Sequence, residues 1–160
     1  PVHQIAAMGE ACRIASLEMA DERGRLQQLH DRLWAALLKL GDVTLNGHPE
    51  HQWPGILNVS FAGIAAEALL AAVPGIAVST GSACTSATNE PSHVLRAMGC
   101  DARQARAAVR FSLGRFTTAE EIDYTVQAVS TAVNRLRDAS PLWKQPGNGT
   151  PFLVDWSAPV

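Results

Sequence analysis

The chain has 160 residues, 47% of them hydrophobic and 18% charged, a balance that suits one globular domain with a single core. Its formal net charge is -2, and among thirteen basic residues only Lys39 and Lys144 are lysine; with no basic stripe or acidic tail, nucleic acid and anionic membrane are disfavoured as partners. The most apolar stretch, Ala68 to Val78, is broken by Pro74 and Gly75 and falls well short of the ~20 residues that span a bilayer.

In chain order, Pro1-Val2-His3-Gln4 carries neither a positive n-region nor a signal-type apolar core, and the absence of an initial Met is consistent with a start inside a longer protein. Apolar positions from Ile5 through Leu26, Leu29, Leu33 and Leu37 recur at helical spacing. They predict one long helix over 2 to about 40, with Gly24 a candidate bend and Gly41 a stop. A short strand is expected at Val43-Thr44-Leu45, a turn at Asn46-Gly47-His48-Pro49, and a stronger strand over Ile56–Phe61, where apolar and polar residues alternate. A short helix over Ile64–Ala72 and a strand at Ile76-Ala77-Val78 follow; Ser79 to Asn89, small and polar without periodicity, reads as a loop. Next come a helix from Pro91 to Met98 ended by Gly99, a strand over Ala108–Leu113, and a helix to about Arg137. Thr117-Thr118-Ala119-Glu120 has the capping-box spacing that opens this last helix. The tail from Ser140 is rich in Pro, Gly and Asn and reads as irregular. The order predicts an α+β fold: a small, mainly antiparallel sheet covered on one face by helices, with a long N-terminal helix.

The cysteines, Cys12, Cys84 and Cys100, are an odd set without C-x-x-C spacing. That argues against a disulfide framework and a zinc site, and suits a reducing cytoplasm. Cys12, on the long helix, and Cys100, after a helix-ending glycine, fit the role of small buried hydrophobes. Cys84 differs, since Gly81, Ser82, Ala83, Thr85 and Ser86 around it are all small. Such a loop brings a sulfur close to a substrate, and its hydroxyls and N–H groups can support a thiolate. No His or carboxylate lies close in sequence; Glu90 and His93 are the nearest, which weakens a protease-type pairing. Arg110 and Arg115 flank Phe111-Ser112-Leu113-Gly114. An inward arginine requires an anion: either a structural carboxylate such as Glu120 or Glu121, or a substrate carboxylate matched bidentately. Spacing alone leaves both readings open. His48 and His51 sit in a polar loop and read as solvated, and Trp143 and Trp156 read as packing residues.

The run Ser79-Thr80-Gly81-Ser82-Ala83-Cys84-Thr85-Ser86, followed by Glu90-Pro91-Ser92-His93-Val94-Leu95-Arg96-Ala97-Met98-Gly99, resembles the C-terminal domain of pyridoxal-phosphate-dependent cysteine desulfurases, in the branch that serves iron–sulfur cluster assembly. The resemblance recurs in Arg110-Phe111-Ser112-Leu113-Gly114-Arg115-Phe116-Thr117-Thr118, in Leu57-Asn58-Val59-Ser60-Phe61 and in Ser140-Pro141-Leu142-Trp143, and thins after Trp143. It implies the C-terminal domain of a fold-type I enzyme over 1–143, with a mobile catalytic loop at about 79–90 and a tail over 144–160. It further implies that Cys84 takes sulfur from L-cysteine as a persulfide, leaving L-alanine, and that Arg110 clamps the substrate carboxylate. The implied partners are L-cysteine, an iron–sulfur scaffold or sulfur-carrier protein as acceptor, and a second copy of the chain.

The family's cofactor lysine lies in a Ser/His-rich motif of a large domain, and neither Lys39 among leucines nor Lys144 in the tail resembles it. No residue is therefore expected to bind the cofactor covalently, no metal site is expected, and the chain is expected to be inactive alone. The alternatives are a stand-alone persulfide carrier or scaffold-binding module without pyridoxal phosphate, and a remnant without activity.

Overall fold

The computed structural model describes residues 1–80, 91–140 and Trp143. Cys84 and its loop neighbours, Lys144 and Trp156 lie outside the described residues. The first element, α1 (Val2–Leu38), runs 37 residues without interruption, so Gly24 marks no break in it. One stripe of it, Leu26, Leu29, Leu33 and Leu37, is buried. The same helical spacing continues toward the N-terminus through Met19, Met8 and Ile5, yet there the side chains are open to solvent, Met8 and Ile5 by 70% and 69%.

Three strands form an antiparallel sheet in the order β1 (Val43–Leu45), β2 (Ile56–Phe61), β3 (Ala108–Ser112). The register pairs Leu45 with Val59 on one side of β2, and Val59 with Val109 and Asn58 with Arg110 on the other. Alternation along the strands sends Leu57, Val59, Phe61, Val109 and Phe111 to one face. There they form the main core with α1, with Leu69 of α2 (Ala66–Ala72), and with Ile122, Val129 and Val133 of α5 (Ala119–Ala139). Helices on one face of an antiparallel sheet is the arrangement that the residue patterns predict. The second face is partly covered as well: α3 (His93–Ala97) and α4 (Ala102–Arg106) bring Leu95, Cys100 and Ala105 against Ala108 of β3.

Four local expectations require correction. Ile76–Val78 forms no strand; one residue further on, Ser79 makes an isolated bridge to Arg110. The helix α4 is not anticipated, because its five residues are too few for periodicity; its signal is Asp101, whose carboxylate accepts the Gln104 N–H at 2.7 Å. The capping box on α5 belongs to Thr118 and Glu121, one residue later than the spacing suggests, because the Thr117 hydroxyl accepts from Gly114 N at 2.9 Å instead. Cys12 is exposed rather than buried, since it lies on the open half of α1, whereas Cys100 is buried.

Two arginines tie the long helix down. Arg137 of α5 donates to the carbonyls of Leu40, Gly41 and Asp42 at 2.7, 2.9 and 3.2 Å, satisfying the chain just beyond the C-terminal end of α1. Its guanidinium lies 4.2 Å from the ring centroid of Trp143, so this tryptophan packs on the domain as expected. Arg25, midway along α1, donates to the carbonyls of Gly114, Arg115 and Thr117 at 2.9, 2.7 and 2.7 Å and holds the turn between β3 and α5. Among the described residues no helix is long and apolar enough to cross a membrane.

Candidate functional site

The second face of the sheet carries the polar side chains. Alternation places Asn58 and Ser60 of β2 and Arg110 and Ser112 of β3 there, opposite the main core. Arg110 is exposed, and among the described residues its guanidinium has neither a hydrogen bond nor an ion pair. The structural carboxylates considered for it are committed elsewhere or absent: Glu121 closes the capping box, and no described contact joins Glu120 to Arg110. Arg115 is a different case. It pairs with Glu18 and Glu22 of α1, both at 3.1 Å, so its partner is structural but comes from the long helix rather than from Glu120 or Glu121. The hydrogen bond and charge of Glu22, joined by Glu18, raise the Arg115 guanidinium above its ordinary value.

On the same face as Arg110, across the strand pair, lies a polar cluster that residue patterns do not reveal. The Asn46 side-chain amide donates to Asn58 Oδ1 at 2.9 Å and to Ser60 Oγ at 2.7 Å. Asn46 Oδ1 in turn accepts from Gln104 Nε2 at 2.9 Å and faces Cys100 Sγ at 4.0 Å. The Ser60 hydroxyl donates to the Gln104 carbonyl at 2.8 Å. Asn46, Ser60 and Gln104 are buried and each is partnered, as polar groups removed from water must be, whereas Asn58 is half-buried. The signal available was the alternation of Asn58 and Ser60 with apolar residues in β2. Burial, with a smaller contribution from Asp101, pushes the Cys100 thiol above its ordinary pKa, which suits a packing residue and not a nucleophile.

Ser79, ahead of Cys84 in sequence, is fastened to the arginine strand. Arg110 N donates to the Ser79 carbonyl at 2.7 Å, and Ser79 N donates to the Arg110 carbonyl at 3.2 Å. Cys84 follows Ser79 by five positions in the chain. The loop histidines serve the local turn: His48 Nδ1 accepts the N–H groups of Glu50 and His51 at 3.1 and 3.0 Å. Among the described residues no three His, Cys, Asp or Glu side chains gather to hold a metal ion.

These elements define an α+β domain whose polar sheet face carries an exposed arginine. A family model for class-V aminotransferases matches residues 1–125, and the chain belongs to that family. It is 54% identical over 158 residues to the cysteine desulfurase IscS of Serratia proteamaculans, covering 98% of this chain and 39% of the relative. The cysteine desulfurase IscS of Escherichia coli O9:H4 is 52% identical over the same coverage. Among solved structures, a NifS-like protein aligns with a TM-score of 0.67 and 30% identity over 79% of this chain and 32% of its own. A NifS-like protein from Rickettsia africae shares the fold, with a TM-score of 0.71 and 22% identity over 81% of this chain and 34% of its own. The chain thus spans about two fifths of the length of the curated relatives it matches.

The family's chemistry depends on pyridoxal phosphate, and the described residues do not fit that group. Lys39 is exposed at the C-terminal end of α1, in the helix layer on the opposite side of the sheet from Arg110. No described lysine stands on the arginine face, so no described residue there supplies the amine that the cofactor aldehyde takes.

Proposed function

We propose that this chain is the sulfur-accepting domain of a cysteine desulfurase for iron–sulfur cluster assembly. Arg110 binds the carboxylate of L-cysteine, and Cys84 receives its sulfur. The net transfer converts L-cysteine and the Cys84 thiol into L-alanine and a Cys84 persulfide. The substrate Cβ–S bond breaks, an S–S bond forms, and the lost sulfur is replaced on carbon by hydrogen. Carbon is reduced as the sulfur pair is oxidised, so no external oxidant is needed. Electron withdrawal from the breaking bond is the cofactor's work, and it must come from residues beyond those described.

The observation that carries the reading is the double hydrogen bond between Ser79, five positions before Cys84 in sequence, and Arg110, on the strand that carries the guanidinium. The open stripe on the N-terminal half of α1 supports the same reading, since a domain that works alone seldom leaves such a stripe uncovered. Fused in place of its counterpart in the Serratia relative, the chain should release alanine and carry a persulfide on Cys84, read by mass spectrometry. Cys84→Ser should leave no persulfide, and Arg110→Ala should raise the KM for L-cysteine by roughly 100-fold, as expected for the loss of a bidentate charged contact. Unchanged sulfur transfer in the Cys84→Ser fusion would sink the proposal.

A second reading is favoured by the position of Lys39: a persulfide carrier that needs no cofactor of its own. Incubated in trans with an intact desulfurase and L-cysteine, the unfused chain would then gain a persulfide on Cys84, and an unmodified chain rules the carrier out.

A further inference from the structure

The cross-strand pair Asn58–Arg110 extends the site by one residue. The Arg110 N–H and C=O are both spent on Ser79, and the Asn58 carbonyl accepts the Asn46 N–H at 2.8 Å on the β1 side. Neither main chain bonds across the pair, so it is of the non-hydrogen-bonded type, in which the two side chains stand closest on one face. Asn58 Oδ1 accepts from the Asn46 amide at 2.9 Å, which orients the Asn58 side chain and leaves its Nδ2 as the outward donor. Among the described residues no acceptor meets that Nδ2, just as no anion meets the guanidinium of Arg110. Asn46 is itself locked by Gln104, and Ser60 takes its second N–H, so the orientation is set by buried, fully partnered groups.

Two unpartnered donor groups side by side, one charged and planar and one neutral, suit a carboxylate, whose two oxygens offer about four acceptor sites. We propose that Asn58 is the second donor of the carboxylate site formed by Arg110, with Asn46 as the residue that positions it. The proposal rests on the reading of Arg110 as the carboxylate anchor and adds a neutral donor that fixes the tilt of the bound carboxylate. A bidentate arginine holds the carboxylate in its own plane and leaves about two of its acceptor sites open. A second donor on the adjacent strand fills one of them and sets the direction in which the rest of the amino acid leaves the site.

The chain, isotopically labelled with nitrogen-15, can be titrated with L-alanine, which carries the same carboxylate as the substrate, and with L-alaninamide, which carries none. The side-chain signals of Asn58 Nδ2 and Arg110 Nε should move together with one Kd for L-alanine and stay still for L-alaninamide. Asn58→Ala should weaken binding roughly tenfold, as expected for loss of one hydrogen bond to a charged group. Asn58→Asp should abolish it by placing a carboxylate against a carboxylate. Backbone amide spectra establish that each variant is folded, and the wild-type shifts require no variant at all. Movement of Arg110 without Asn58, with full affinity in Asn58→Ala, overturns the role of Asn58 and leaves the arginine reading standing. If neither signal moves, both are overturned.

Discussion

At the scale of single residues, Cys12 and Cys100 stand in different environments. Cys100 is buried among Leu95, Ala105 and Ala108, and desolvation raises its pKa, whereas Cys12 stands in solvent. A thiol-reactive probe at neutral pH should therefore modify Cys12 rapidly and Cys100 only on unfolding, with mass spectrometry identifying each site. The raised pKa also has a thermodynamic consequence. With the folded pKa above the unfolded value of ~8.5, the unfolded chain loses the Cys100 proton first as pH rises. The stabilising contribution is whole below that pH and is lost as pH climbs through the folded pKa. Denaturant midpoints measured from pH 7 to 10 should fall in the wild type more than in Cys100→Ala. Gly63 is a second residue whose identity has a physical cause. Its φ of 79° is left-handed, and an added Cβ would strike the ring of Trp143. Gly63→Ala should cost roughly 1–2 kcal/mol from the backbone alone, with tryptophan fluorescence reporting displacement of the ring.

At the scale of elements, stability concentrates where side chains satisfy the ends of the secondary structure. Thr118 and Glu121 close both orphan donors at the start of α5, and Thr118→Ala should cost about 1 kcal/mol in a denaturant titration. Arg137 does more, because it is buried and serves three carbonyls beyond the end of α1. Its removal leaves those acceptors without their donor, and Arg137→Ala should cost roughly 3 kcal/mol by the same measurement. The capping spacing at Thr117–Glu120 and the capping box at Thr118–Glu121 are equally good in sequence; only the turn geometry, in which Thr117 accepts from Gly114, separates them. For α4 the local signal existed in Asp101, but five residues are too few to show a helical period.

At the scale of the whole molecule, α1 is divided between two environments. Its C-terminal half is sealed by α5 and the sheet, while Ile5, Met8, Leu17 and Met19 remain open. Amide exchange should accordingly be fast over residues 5–17 and slow over 26–37, a gradient readable by mass spectrometry. Met8→Glu combined with Met19→Glu should leave the unfolding free energy within about 0.5 kcal/mol of wild type, because neither side chain is buried in this chain. The same double change in a fusion that restores the remaining length of a relative should be strongly disruptive if that stripe is covered there.

The sequence by itself determined the α+β class, the long first helix, the two longer strands and the final helix, because helical and strand periodicities are written in the spacing of apolar residues. It also singled out Arg110 by residue type and by resemblance to the desulfurases, and Cys84 by its small neighbours; the latter lies outside the described residues. Only the tertiary structure decided what each arginine faces. Arg115 meets carboxylates on α1, Arg25 and Arg137 meet backbone carbonyls, and Arg110 meets no anion among the described residues. Sequence spacing cannot report this, since the partners come from segments about ninety residues away. The place of Asn58 beside Arg110 was likewise decided by strand register, which is a property of the pairing and of neither strand alone.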